Sequence, residues 1–184
     1  GNVLAILNTK DSALAIYNES VKTAGENYRV YYLSTRLYAA HRKSVIADIR
    51  KALSGREKII VVSTQLIEAG IDFDFSCVVR SLSGMDSIVQ AAGRCNREGI
   101  RGIETTYVVN PCDELESLVH LKDIKEGAKA SERLLGEYVR KPEEFDSELL
   151  SEKAMHTYFE YYFWNRKGEM KYPTPGLSAE SLYD

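Results

Sequence analysis

Cysteine is scarce in this chain. Only Cys77, Cys95 and Cys112 occur, an odd number with no Cys-x-x-Cys pair, which argues against a disulfide framework and against a zinc site. Reduced thiols are the expected state. Long apolar runs are also missing. Nothing approaches the roughly 18–20 consecutive apolar residues of a membrane-spanning helix. No signal peptide is visible, because Gly1 leads directly into a strand-like run. The expectation is a soluble, cytoplasmic piece of something longer, with no membrane partner. No internal repeat or low-complexity tract interrupts it. Finally, no glycine is followed by lysine, so the Gly-x-x-x-x-Gly-Lys-Ser/Thr loop that cradles β- and γ-phosphates is absent.

What is present is enough for one ordinary domain with an appendage. Of the 184 residues, 44% are hydrophobic and 28% charged, a globular composition. The net charge of -3 is unevenly spread. Residues 1–112 carry 14 Lys/Arg against 11 Asp/Glu, a balance of +3, whereas residues 113–184 carry 10 against 16, a balance of -6. The first part can face an anion; the second reads as a different structural unit.

Short β-forming runs at Val3–Leu7, Arg29–Leu33, Ile59–Ser63, Phe75–Arg80 and Glu104–Val109 alternate with helical patterns over 11–24, 41–53 and 86–92. Strand and helix in alternation predict an α/β three-layer domain, a parallel sheet with helices on both faces. Ligands of such sheets bind beyond the carboxyl ends of the strands, which directs attention to 8–11, 34–42, 63–72 and 81–97. After Pro111 the pattern changes. Residues 114–135 and about 143–166 read as acidic helices. Their aromatic run Tyr158, Phe159, Tyr161, Tyr162, Phe163, Trp164 is expected to pack against a partner domain. The reading divides the chain into a domain over 1–112, a helical extension over 113–168 and a loose tail over 169–184.

The segment Gln90-Ala-Ala-Gly-Arg-Cys-Asn-Arg97 carries the most chemistry. On a helix running into a turn, Gln90, Gly93, Arg94 and Arg97 fall near one side. Gly93 admits close approach of a nucleotide or another backbone. Two guanidiniums three residues apart can fork onto phosphate oxygens and stabilise charge growing on a transferring phosphoryl group. A second segment, Ser63-Thr-Gln-Leu-Ile-Glu-Ala-Gly-Ile-Asp72, ends the most apolar strand. Thr64 and the amides after it open a helical turn that attracts phosphate. Gly70 permits a tight turn, and Asp72 can accept from a ribose hydroxyl.

In this order the two segments resemble motifs V and VI of superfamily 2 helicases, the latter of the form Gln-x-x-Gly-Arg-x-x-Arg. The strings Gly-Arg-Cys-Asn-Arg and Thr-Gln-x-x-Glu-x-x-x-Asp resemble more narrowly the helicase–nuclease of type I CRISPR interference. The stretch Leu33-Ser-Thr-Arg-Leu…His41-Arg42 is similar to a further motif of that family, with Ser34 and His41 standing where the family usually has histidine and an acidic residue. The resemblance spans about residues 1–110. It implies the second RecA-like domain of a motor that uses ATP and Mg²⁺ to move along single-stranded DNA. Arg94 and Arg97 would be arginine fingers. Gly70, Asp72, Gln90 and Gly93 would line the nucleotide cleft, and Arg36, Arg42 and Thr64 would touch the DNA backbone. The implied partners are a first RecA-like domain, an HD-type nuclease domain and the Cascade surveillance complex. Nucleotide and metal would be held mainly by the first RecA-like domain.

Other readings compete. Cys95 and Arg101 have the Cys-x5-Arg spacing of cysteine phosphatases. A different superfamily 2 helicase, or a degenerate helicase-like binding module, would share much of the pattern. Asp113-Glu114-Leu115-Glu116 imitates the acidic magnesium motif of helicases, but it follows the arginine motif instead of preceding it. Its expected role is a solvated helix start, because acids favour helix N-termini.

Overall fold

The computed structural model describes residues 1–67 and 71–168. In chain order come β1 (Val3–Leu7), α1 (Lys10–Thr23), β2 (Arg29–Leu33), α2 (Ala39–Ser54), β3 (Ile59–Thr64), β4 (Cys77–Ser81), α3 (Met85–Ala92) and β5 (Thr105–Val109). The strands form one sheet in the order β2-β3-β1-β4-β5, parallel throughout. The alternation in the sequence predicts this architecture. Phe75, expected inside the fourth strand, lies before it and bridges to Cys95 instead.

Strand periodicity sorts the core into two faces. Leu4, Ile6, Leu33, Ile59, Val61 and Val78 face α2 and α3 and pack on Ile49, Ala52 and Ala91. Leu7 and Val62, with Ala5, Ile60 and Tyr32, face α1 at Ala13, Ile16 and Tyr17. Helices on both faces thus give three layers. Thr9 caps α1 by accepting from Ser12 N at 3.0 Å.

The extension begins later than its composition predicts. Residues 113–121 are not helical; α4 runs Lys122–Arg140 and α5 runs Glu152–Trp164. A single 3₁₀ turn at Pro142–Phe145 and left-handed Asp146 and Ser147 (φ 58° and 56°) separate them, so the expected helix from about 143 is broken. Phe145 is driven into a second core cluster with Leu82, Met85, Ile88, Ala128, Leu134 and Tyr158. This cluster joins the extension to α3. An added Cβ on Gly127 would stand 3.0 Å from Gly84 Cα, so the glycine lets α4 press onto the start of α3. Tyr158 therefore packs within its own chain, 2% exposed, and its hydroxyl donates to Asp86 at 3.1 Å. Phe159, Phe163 and Trp164 remain exposed on α5. The tail expected over 169–184 lies outside the described residues.

Asp113 and Glu114 are exposed, as expected of 113–116, but Glu116 is not. It is 4% exposed. Its carboxylate accepts from Asn8 N at 2.7 Å, Asn8 Nδ2 at 2.8 Å, Thr9 N at 3.3 Å and Ser12 Oγ at 2.6 Å. Fully buried Arg80 donates to Asn8 Oδ1 at 2.7 Å. The rule that acids favour helix N-termini holds, but the helix is α1, more than a hundred residues earlier. After Cys112 the chain makes a turn, with Leu115 N and Glu116 N both donating to Cys112 O at 3.0 Å, and that turn delivers Glu116 to buried donors. Among the described residues no helix is long and apolar enough to cross a membrane.

Candidate functional site

Helix α3 starts at the carboxyl end of β4 and returns to the opposite edge. Its C-terminus therefore leaves Arg94–Arg97 at the amino edge of the sheet, not at the carboxyl edge where the general rule for such sheets points. Asp72–Phe75, just ahead of β4, lie alongside. Phe75 N donates to Arg94 O and Asn96 N to Phe75 O, both at 2.9 Å. Arg97 N donates to Asp74 Oδ1 at 2.7 Å. Two segments about twenty residues apart are so laced into one edge.

Arg97 Nη1 lies 2.9 Å from Asp72 Oδ1. Both side chains are exposed to an open cleft of about 680 Å³, also lined by Arg50, Arg56, Asp74 and Arg101. Arg94 is half-buried; Gln90 and Gly93 are exposed at the end of α3. Nothing in the chain's own backbone demands glycine at 93. Its φ is -64°, and an added Cβ would meet only Gln90 O at 3.4 Å and Val89 O at 3.5 Å. Room beside a guanidinium pair suits the close approach of a phosphate chain. Gly70 lies outside the described residues.

Sequence reasoning passed over Asp74 and gave Arg101 only the phosphatase role. Arg101 holds Asp74 by two bonds of 2.7 Å and donates to Phe75 O at 2.8 Å. Hydrogen bonding to Asp74 raises the Arg101 pKa further. The available signals were the doubled Asp72-x-Asp74 and the positive-φ glycines 99 and 102 flanking Arg101. These contacts remove the phosphatase reading: the Arg101 guanidinium is committed to Asp74, while Cys95 Sγ faces Thr105 O at 3.5 Å. Cys95 follows α3, so it has no helix N-terminus beneath it to bind phosphate.

The carboxyl edge carries the other candidates. Arg36 lies just past β2, Thr64 ends the adjacent β3, and Arg42 sits in the first turn of α2. Buried Ser34 donates from Oγ to Tyr32 Oη at 2.8 Å and accepts from Arg36 N at 3.1 Å. The residue that departs from the family pattern thus fixes the turn that presents Arg36. The Arg36 guanidinium pairs with exposed Asp11. Thr64 is 8% exposed and offers little side-chain surface; the amides of the 3₁₀ turn Gln65–Ile67 follow it. Exposed Tyr38 and His41, rings 5.5 Å apart, flank Arg42 on this edge. The candidates therefore divide between two edges.

Residues 1–100 match the family model described as CRISPR-associated nuclease/helicase Cas3, C-terminal. The CRISPR-associated nuclease/helicase Cas3 of Haloferax volcanii is 38% identical over 100 residues, covering 52% of this chain and 11% of that protein. The protein of that name from Methanothermobacter thermautotrophicus is 28% identical over 133 residues, covering 70% of this chain and 16% of the relative. The chain thus spans about a sixth or less of these relatives. The crystal structure of T. fusca Cas3 has the same RecA-like fold, with a TM-score of 0.67 at 20% identity over 92% of this chain and 22% of that one. A chain of a CRISPR RNA-guided surveillance complex in a pre-nicking state gives a TM-score of 0.61 at 18% identity, over 91% of this chain and 23% of that one. With a match over more than half its length, the chain belongs to the family of the C-terminal region of the CRISPR-associated nuclease/helicase Cas3.

Proposed function

We propose that this chain is the second motor domain of an ATP-driven translocase on single-stranded DNA, working in type I CRISPR interference. The observation that carries the reading is the Arg97–Asp72 pair, 2.9 Å apart and open to the cleft. A guanidinium there forks onto phosphate oxygens, and a neighbouring carboxylate accepts from ribose hydroxyls. On this reading, carried by the resemblance, Arg94 and Arg97 act as arginine fingers, Asp72 and Gly70 serve the ribose, and Gln90 and Gly93 serve the nucleotide from the end of α3. These residues fit the outer half of an ATP site. When bound, ATP with Mg²⁺ supplies the transferable phosphoryl group; the loop that cradles it belongs to a first RecA-like domain, since no glycine here precedes a lysine. Arg36, Arg42 and Thr64 track the DNA backbone on the opposite edge.

An HD-type nuclease domain and the Cascade surveillance complex complete the assembly. Support for the latter is family membership and the similar fold of a chain in a surveillance complex.

The reading is tested on the intact protein by Arg97→Ala. ATP turnover should fall roughly a hundredfold or more, as for other arginine fingers, while nucleotide affinity falls much less, because the finger acts on transition-state charge. Steady-state kinetics in saturating single-stranded DNA give both quantities. Normal turnover would remove Arg97 from catalysis and overturn the reading.

A further inference from the structure

Arg97 owes its place to a pair of residues outside the helicase motifs. The Arg101 guanidinium meets Asp74 with Nη1 on Oδ2 and Nη2 on Oδ1, each at 2.7 Å. Nη2 also donates to Phe75 O at 2.8 Å, and Nε lies 3.4 Å from Glu104. The side chains are sheltered, 29% exposed for Arg101 and 17% for Asp74, against 41% and 78% for Arg97 and Asp72. A bidentate pair of this kind holds orientation as well as distance. The Asp74 carboxylate accepts a third bond, at Oδ1 from Arg97 N at 2.7 Å. The turn that brings Arg101 back is fixed by Asn96, left-handed at φ 49°, whose Oδ1 accepts from Arg101 N at 3.1 Å. One carboxylate therefore receives the Arg97 backbone on one side and the Arg101 fork on the other.

We infer that Asp74 and Arg101 are positioning residues for Arg97, their bidentate pair fixing the backbone from which the Arg97 guanidinium enters the cleft. The inference rests on Arg97 acting at the phosphate, as proposed above. The pair also ties the end of the 64–75 segment to the arginine motif. A misplacement of about 1 Å at a catalytic group can cost on the order of a hundredfold in rate without touching the ligand.

The test uses full-length protein with single-stranded DNA and ATP. Arg101→Ala should lower kcat at least about tenfold and change KM for ATP less than about threefold, the pattern of an interaction made in the transition state. Arg101→Lys keeps the charge but not the fork, and should lose at least about threefold in kcat. It reports even where the alanine variant does not fold. The double variant Arg97→Ala/Arg101→Ala should be no slower than Arg97→Ala alone, because the positioning residue has nothing left to position. Wild-type kcat in Arg101→Lys overturns the inference. So does a double variant slower than Arg97→Ala by the full factor that Arg101→Ala costs on its own, which marks a general structural role. Normal turnover in Arg97→Ala would instead sink the functional reading, so the two failures are distinguishable.

Discussion

Arg36 shows how much a single residue depends on its neighbours. Ser34, fully buried, spends its hydroxyl on Tyr32 and on the Arg36 amide. The turn is thus rigid while the guanidinium, 43% exposed, is held only by Asp11 at 83% exposure. A pair so wet is worth little, and a DNA phosphate can displace it. A backbone contact reads no sequence. In the intact protein Arg36→Ala should weaken single-strand binding about equally for all sequences and flatten the salt dependence by about one unit or less. Titrations of labelled single strands at several salt concentrations measure this; an unchanged affinity and slope would move the DNA edge elsewhere. The site residues differ in legibility for the same reason. Gln90, Gly93, Arg94 and Arg97 lie within eight positions of one helix end and are read as a string. Asp74 and Arg101 are 27 positions apart, and no local pattern announces that one will grip the other.

At the scale of elements, the inner β-strands were legible because runs buried on both faces are apolar almost throughout. The extension was less so. Its two helices are joined at their surface by Tyr161, whose hydroxyl donates to Glu137 Oε2 at 2.6 Å, with Arg133 Nε 3.3 Å from the same carboxylate. The Tyr161 bond is the main cause holding the Glu137 pKa below its ordinary value of 4.5, with Arg133 adding to it. A carboxylate with a depressed native pKa contributes stability that is fully present above its unfolded value. That stability is lost as pH falls through the lowered native one. The α4–α5 contact should therefore weaken below about pH 4.5. Tyr161→Phe should leave a shallower loss of thermal midpoint between neutral and acid pH than the parent chain shows. Equal slopes for the two would remove this pair from the acid response. The 113–121 stretch was misjudged because its acids were assigned to the nearest helix. Burial of Glu116 against α1 is a contact across 104–108 positions, and composition carries no such distance.

For the whole molecule, the parallel order β2-β3-β1-β4-β5 divides the candidate residues between two edges. Thr64 and Arg36 lie at strand ends, Arg94 and Arg97 at the return of α3, and the sheet stands between them. That geometry suits a motor in which nucleotide and DNA must influence each other without touching. On the proposed reading the chain is half of a nucleotide site. The 184-residue chain by itself should hydrolyse no ATP above background even with Mg²⁺ and single-stranded DNA, because nothing in it cradles the β- and γ-phosphates. A phosphate-release assay on the purified chain checks this, and steady DNA-stimulated turnover would overturn its assignment as a second motor domain. The sequence alone determined the three-layer class, the strand bounds to within a residue or two and the arginine motif. Each of these is written in the spacing of neighbouring residues, where periods of 2 and 3.6 sort apolar from polar faces. Only the tertiary structure decided which edge receives the arginines, which helix Glu116 caps and what holds Arg97. The first and last of these follow from the direction in which α3 returns across the sheet. That direction is set by burying the most apolar area from distant segments at once, a property of the packed chain and not of any window along it.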